Sequence, residues 1–210
     1  EWQPRAMEAL ETLGVPFTGT DTGTLLACDA DKFRMKELLQ SRNLPTPPYA
    51  TRNHAKPLYD NPGKWLVKSA IYHGSFNVKQ ENVSEDPSYL LRLMQQYEDE
   101  HGGMWFADRY LPGREFFIGM IGNRGEDPEL LPETELTFNP SHFTDGRLPF
   151  LTEDAKWEED GDEPDRVAVN ASHLYRLSPS EYTATTRGAW YTMVESLNDF
   201  SDTGDSRSDV

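Results

Sequence analysis

The chain has 210 residues, 36% of them apolar, which is enough for one large domain or two small ones with real hydrophobic cores. Its 36 acidic and 20 basic residues give a net charge of -16, which repels phosphate backbones and anionic lipid surfaces, so neither nucleic acid nor membrane is expected as a partner. Cys28 is the single cysteine, no apolar run approaches the roughly 20 residues of a membrane span, and no cationic start leads into a signal core; a reducing cytoplasm is the default location.

In chain order, Pro4 to Leu13 puts Met7, Leu10 and Leu13 on one face of a short helix, closed by Gly14 before the extended Val15 to Thr18. Asp31 to Gln40 reads as a second helix with Phe33, Leu38 and Leu39 inward, stopped by Asn43 and the prolines at 45, 47 and 48, after which a rigid connection follows. Trp65-Leu66-Val67 is a strand running into Lys68 and a turn at His73-Gly74-Ser75. Asp86 caps a helix with Pro87 at its first position, Leu90, Met94 and Tyr97 on one face, and Gly102-Gly103 beyond its end. Trp105 to Tyr110, Phe116 to Gly122 and Leu130 to Phe138 are strand candidates that suggest an antiparallel sheet. Asn139 to Asp165 reads as a long polar loop whose apolar islands are Pro149-Phe150-Leu151 and Ala155-Lys156-Trp157. A last helix starts at the capping box of Ser178 and Glu181, and no internal repeat is found. The opening at Glu1 in mid-pattern and the acidic run from Asp199 to Val210 read as the ends of a fragment, the tail being a solvated terminus rather than a ligand site.

Chemistry attaches to three places. Lys68 ends an apolar strand just before a Gly-Ser loop, which holds an ammonium near phosphate oxygens while Gly74 lets the backbone come close. The alternative is a solvated lysine, the commoner fate of a lysine at a strand end. Asp108-Arg109-Tyr110-Leu111 followed by Pro112-Gly113-Arg114-Glu115 can set one carboxylate at adenine and another at ribose, or it is a charged edge strand. Lys156 stands beside Glu153, Asp154 and Trp157, where the residues alone favour an ion pair over a phosphate ligand.

The order of these pieces resembles the D-alanine:D-alanine ligase branch of the ATP-grasp superfamily. The matching stretches are Leu13 to Gly19, Asp31-Lys32, Leu44 to Pro47, Trp65 to Lys68, Gly74-Ser75-Phe76, Tyr110 to Phe116, Leu131 to Glu135 and Ala155-Lys156-Trp157. The resemblance implies an α+β ATP-grasp fold, two α+β lobes with nucleotide between them and the C-terminal lobe incomplete. Residues 1–30 would be a remnant of the preceding domain, 31–104 the smaller lobe and 105–210 the larger. Lys32 and Lys68 would bind ATP phosphates under the loop at Gly74 and Ser75, and Lys156 would contact the terminal phosphate as the catalytic cation. Asp108 would take the adenine amino group, the backbone of Arg109, Tyr110 and Leu111 would line the adenine slot, and Glu115 would bind ribose hydroxyls. Glu135 has a structural reading ahead of a substrate one.

The implied activity is an ATP-dependent carboxylate-amine ligation through an acylphosphate, with ATP, a small carboxylate, an amine and Mg2+ as partners and a homodimer as the assembly. The Glu-x-Asn pair that holds magnesium in that family is not recognisable between Asp199 and Val210. No metal ligand is therefore assigned here; the ligands are expected outside this chain. Phe76-Asn77 also stand where a second Ser or a small residue and Gly are common. Two further readings stay open: a non-catalytic ATP-binding module that has lost its magnesium ligands, and a structural remnant in which Lys68, Asp108 and Lys156 are only solvated or paired charges. Convergence of those charges on one cleft discriminates between them.

Overall fold

A computed structural model describes residues 2–29, 31–122, 127, 129–131, 134–136, 138 and 146–157. Helix α1 (Trp2–Leu13) and helix α3 (Lys32–Ser41) end by the same backbone device. After α1, Gly14 has φ 64, and Val15 N–H and Gly14 N–H return to the carbonyls of Leu10 and Glu11. After α3, Asn43 has φ 56, and Leu44 and Asn43 return to Leu39 and Gln40. Both are Schellman closures, which satisfy carbonyls that a helix end otherwise leaves to water.

Between them lie a one-turn helix α2 (Thr22–Thr24), capped by Asp21, and a π-type turn over Leu25–Asp29. Asp31 is the cap of α3 rather than its first residue, its carboxylate accepting the Phe33 N–H at 2.8 Å. The expected inward faces are only partly realised. Leu13 is 73% exposed because the chain turns away at Gly14, and the buried residue of α3 is Lys36, whose Nζ donates to Thr46 Oγ1, while Phe33, Leu38 and Leu39 are half-buried.

The described residues of Glu1–Thr46 belong to one compact unit and those of Pro47–Gly122 and Asp127–Ser178 to another. The second unit is built on a four-stranded antiparallel sheet in the order β1-β4-β2-β3. Its strands are β1 (Tyr49–Thr51), β2 (Trp65–Ser69), β3 (Val83–Ser84) and β4 (Trp105–Arg109), with helix α4 (Lys56–Asp60) between β1 and β2. The supposed rigid connection after the prolines thus contains a strand and a helix, because Ala50 and Leu58 contribute apolar contacts that pin an otherwise polar stretch. Strand β4 begins one residue past the expected lobe boundary at 104 and lies hydrogen-bonded between β1 and β2.

Helix α5 (Pro87–His101) matches its sequence signals: Asp86 accepts the Ser88 N–H, Pro87 opens the first turn, and Gly102 follows with φ 70. Its Leu90, Leu93, Met94 and Tyr97 pack on Ala50, Trp65, Val67, Trp105 and Ala107 to form the core. Full burial of each large apolar side chain contributes about 1.5–3 kcal/mol.

The remaining strand candidates pair with each other rather than with β4. Strand β5 (Glu115–Phe117) joins β8 (Thr134–Leu136), and β6 (Met120–Ile121) joins β7 (Glu129–Leu130), all antiparallel. Each expected strand is split in two. The break in the first falls at Ile118-Gly119, where Leu131 N–H donates to Gly119 O and the Leu131 side chain fills the place a Cβ at 119 would need. The expected loop from Asn139 contains a short helix, α6 (Glu153–Trp157), and Phe150 is buried. The predicted helix from Ser178 and the acidic tail lie outside the described residues. No described helix is long and apolar enough to cross a membrane.

Candidate functional site

Strand alternation decides which side chains are available for chemistry. Trp65, Val67 and Ser69 of β2 are buried, and Trp65 and Val67 join the core with Trp105 and Ala107 of β4. The opposite face therefore carries Leu66 and Lys68 from β2 and Phe106 and Asp108 from β4. In register, Leu66 is opposite Asp108 and Lys68 opposite Phe106, which makes Lys68 and Asp108 diagonal neighbours. Their charges meet: Lys68 Nζ lies 2.7 Å from Asp108 Oδ2 and 5.4 Å from the Phe106 ring centroid. Tyr49, opposite Asp108 on β1, meets the Phe106 ring edge-on at 6.3 Å. The predicted phosphate cation and adenine acceptor thus share one sheet face and are also an ion pair.

Beyond β2, Ser69 Oγ accepts the N–H groups of Ile71 and Tyr72 and turns the chain into the Gly-Ser loop. Gly74, Ser75 and Asn77 have φ of 71, 61 and 52. Glycine takes this region freely and Asn at lower cost than most residues. Phe76 anchors the loop by its ring, 4.7 Å from Tyr72, 5.3 Å from His101 and 6.4 Å from Trp105. Asn82, fully buried, ties the loop from beneath: its Nδ2 donates to Asn77 O and Val67 O.

The Arg109 to Leu111 segment leaves the sheet with two amides committed. Arg109 N–H donates to Pro48 O at 2.9 Å and Tyr110 N–H to Lys64 O at 3.0 Å. The Arg109 guanidinium lies over Trp65 and donates to Asn61 O, while Leu111 is 62% exposed. Burial raises the Glu115 carboxyl above the ordinary carboxylate range. The Tyr110 hydroxyl is raised by burial first and by the charge of Glu115 second, and it donates to Pro149 O.

Lys156 arrives on α6. Glu153, the first residue of that helix, donates its N–H to Val78 O and accepts the Asn77 N–H on Oε2, both at 2.9 Å. The preceding segment is held by Gln80, whose amide group makes a reciprocal pair of hydrogen bonds with the backbone of Leu148. The helix bearing Lys156 is therefore seated on the loop of Gly74 and Ser75, with Lys156 exposed. Lys32 opens α3 in the first compact unit. Glu135 lies in β8 opposite Phe116. Among the described residues no group of three or more His, Cys, Asp or Glu side chains is gathered to hold a metal ion.

No family model matches the chain. The chain is similar to the D-alanine--D-alanine ligase of Halorhodospira halophila, 28% identical over 148 residues that make up 69% of this chain and 45% of that protein. A D-alanine--D-alanine ligase of Pseudoalteromonas translucida is 29% identical over 144 residues, 65% of this chain and 43% of its own length. The crystal structure of D-alanyl-alanine synthetase A from Vibrio cholerae superposes with a TM-score of 0.59 at 14% identity, covering 91% of this chain and 53% of that one. The chain has an ATP-grasp fold, and its sequence is similar to D-alanine--D-alanine ligases. This ATP-grasp chain spans less than half the length of the curated relatives named here.

The ATP-grasp likeness had a sequence signal in the ordered pieces around Lys68, Asp108, Glu115 and Lys156. Two residues that shape the ATP-grasp loop had none. Asn82 sits in a polar run, Gln80-Glu81-Asn82, that gives no hint of burial, and Glu153 appeared only as a charge near Lys156.

Proposed function

We propose that this chain binds ATP on the Lys68–Asp108 face of its sheet and serves an ATP-dependent carboxylate-amine ligase. The observation that carries the reading is the shared face itself. Lys68 and Asp108 lie together on the side of β2 and β4 away from the core, and the left-handed Gly74-Ser75 loop follows directly from the same strand.

In this reading Lys68 neutralises phosphate oxygens from the sheet, and backbone amides at Gly74 and Ser75 supply donors. Lys156 adds a second cation from α6. Asp108 accepts from the adenine amino group, the Arg109 to Leu111 backbone lines the adenine edge, and Glu115 takes ribose hydroxyls. The terminal phosphoryl group moves from its ADP oxygen to a carboxylate oxygen; the amine then attacks the acyl carbon and phosphate leaves. Cations placed in advance stabilise the charge that develops on the transferring group, so the chain's own contribution is positioning and neutralisation. Magnesium would supply further charge neutralisation in this chemistry; among the described residues no group of three or more His, Cys, Asp or Glu side chains is gathered for it. A small carboxylate and an amine as substrates, a homodimer and a cytoplasmic location belong to the same proposal.

The test is calorimetric titration of ATP with magnesium into this chain and into Lys68→Ala, with circular dichroism confirming that both are folded. Micromolar to millimolar binding that disappears in the variant is the expected result. A folded wild-type chain that takes up no ATP refutes the nucleotide site.

A further inference from the structure

Asn82 is a fully engaged polar side chain of the second unit. It is 0% exposed, and each polar atom of its amide has work. Nδ2 donates to Val67 O at 3.0 Å and to Asn77 O at 2.8 Å, while Oδ1 accepts the Tyr97 hydroxyl at 3.0 Å. Val67 immediately precedes Lys68, Asn77 closes the Gly74-Ser75 loop, and Tyr97 comes from α5 in the core. Burial first, then the charges of Glu81, Tyr89 and Glu100, push the Tyr97 hydroxyl up to about 12, so it remains a proton donor at neutral pH. With Oδ1 fixed as acceptor, the amide cannot flip, and both N–H groups stay aimed at the two backbone carbonyls.

We infer that Asn82 is a positioning residue for phosphate binding: it sets the distance between the strand that presents Lys68 and the loop that presents Gly74 and Ser75. The inference rests on the nucleotide site proposed above. Asn82 touches neither phosphate nor adenine in this role; it acts through the backbone at Val67 and Asn77. Loss of the amide removes the tie while Phe76 still anchors the loop by its ring. The loop therefore stays near the sheet but no longer keeps one spacing from Lys68. Ligands that use the phosphate end of the site lose affinity, and ligands that use only the adenine end do not.

The experiment measures ATP, ADP and adenosine binding to the wild-type chain, Asn82→Leu and Tyr97→Phe, with hydrogen exchange followed at residues 74–78. The expected result for Asn82→Leu is a loss of about tenfold in ATP and ADP affinity, equivalent to about 1.4 kcal/mol. Adenosine affinity stays within about twofold, and the loop amides exchange faster. Tyr97→Phe keeps Asn82 but leaves its Oδ1 without a donor and so loosens the tie; a smaller loss of the same selectivity, about threefold, is expected, and this variant decides the matter if Asn82→Leu does not fold. Equal losses for ATP and adenosine, or unchanged ATP affinity in a folded variant, overturn the inference while leaving the nucleotide site intact. A wild-type chain that binds neither ATP nor adenosine overturns the nucleotide site and this inference together.

Discussion

Lys68 and Asp108 are joined at 2.7 Å across strands β2 and β4, with side chains 29% and 9% exposed. The Asp108 carboxylate has little water to fall back on, so its ammonium neighbour matters more than a surface partner would. Lys68→Met is expected to destabilise the chain by about 1–3 kcal/mol. Asp108→Asn is expected to cost less, because the lysine, the more exposed of the two, recovers part of its hydration. Urea denaturation of both variants and of the double variant checks this: the double variant should lose less than the two singles combined. Additive losses would show that the contact is energetically silent.

The turn before β2 depends on Gly63, whose φ is 125 and whose missing Cβ leaves room for the Arg109 guanidinium; a Cβ there would overlap it. Gly63→Ala is therefore expected to cost about 1–3 kcal/mol, most of it backbone strain, since the arginine can move away. A thermal melt within a degree of wild type would show that the turn relaxes freely.

Burial lifts the Glu115 carboxyl above its ordinary value. A raised acid binds its proton more tightly in the folded than in the unfolded chain. Its ionisation therefore subtracts stability as pH rises from the ordinary carboxylate range through the raised folded value. Glu115→Gln removes that penalty. The variant is expected to melt higher than wild type at neutral pH, and the gain should fade to nothing below the ordinary carboxylate range. A gain that persists unchanged in acid would assign the effect to packing instead.

The Glu153 carboxylate accepts the Asn77 N–H, and the Glu153 N–H donates to Val78 O, so one residue fixes α6 to the loop. Glu153→Ala keeps the backbone bond and removes the charged acceptor. The Asn77 amide should then exchange with solvent about tenfold faster, as expected for losing a hydrogen bond to a charged group of about 1.4 kcal/mol. Exchange resolved by mass spectrometry or NMR reads this directly; an unchanged rate would place the protection elsewhere.

The sequence by itself determined the elements whose signals are local. Asp86, Pro87, the Leu90, Met94 and Tyr97 face and Gly102 specify α5, and Asp31 with Asn43 specifies the two ends of α3, because caps, ring constraints and left-handed closures act within a few residues. The ordered pieces from Trp65 to Lys156 likewise pointed to the ATP-grasp fold.

Only the tertiary structure decided what depends on pairing across distance. Nothing local places β4 between β1 and β2, splits the strand at Ile118-Gly119, or closes the Lys68 ammonium on Asp108, because antiparallel partners are chosen by register and by the helix that covers one face. The same holds for Asn82 and Glu153. A polar side chain becomes a structural tie only when folding removes its water and supplies a backbone partner, and those partners lie on other segments of the chain.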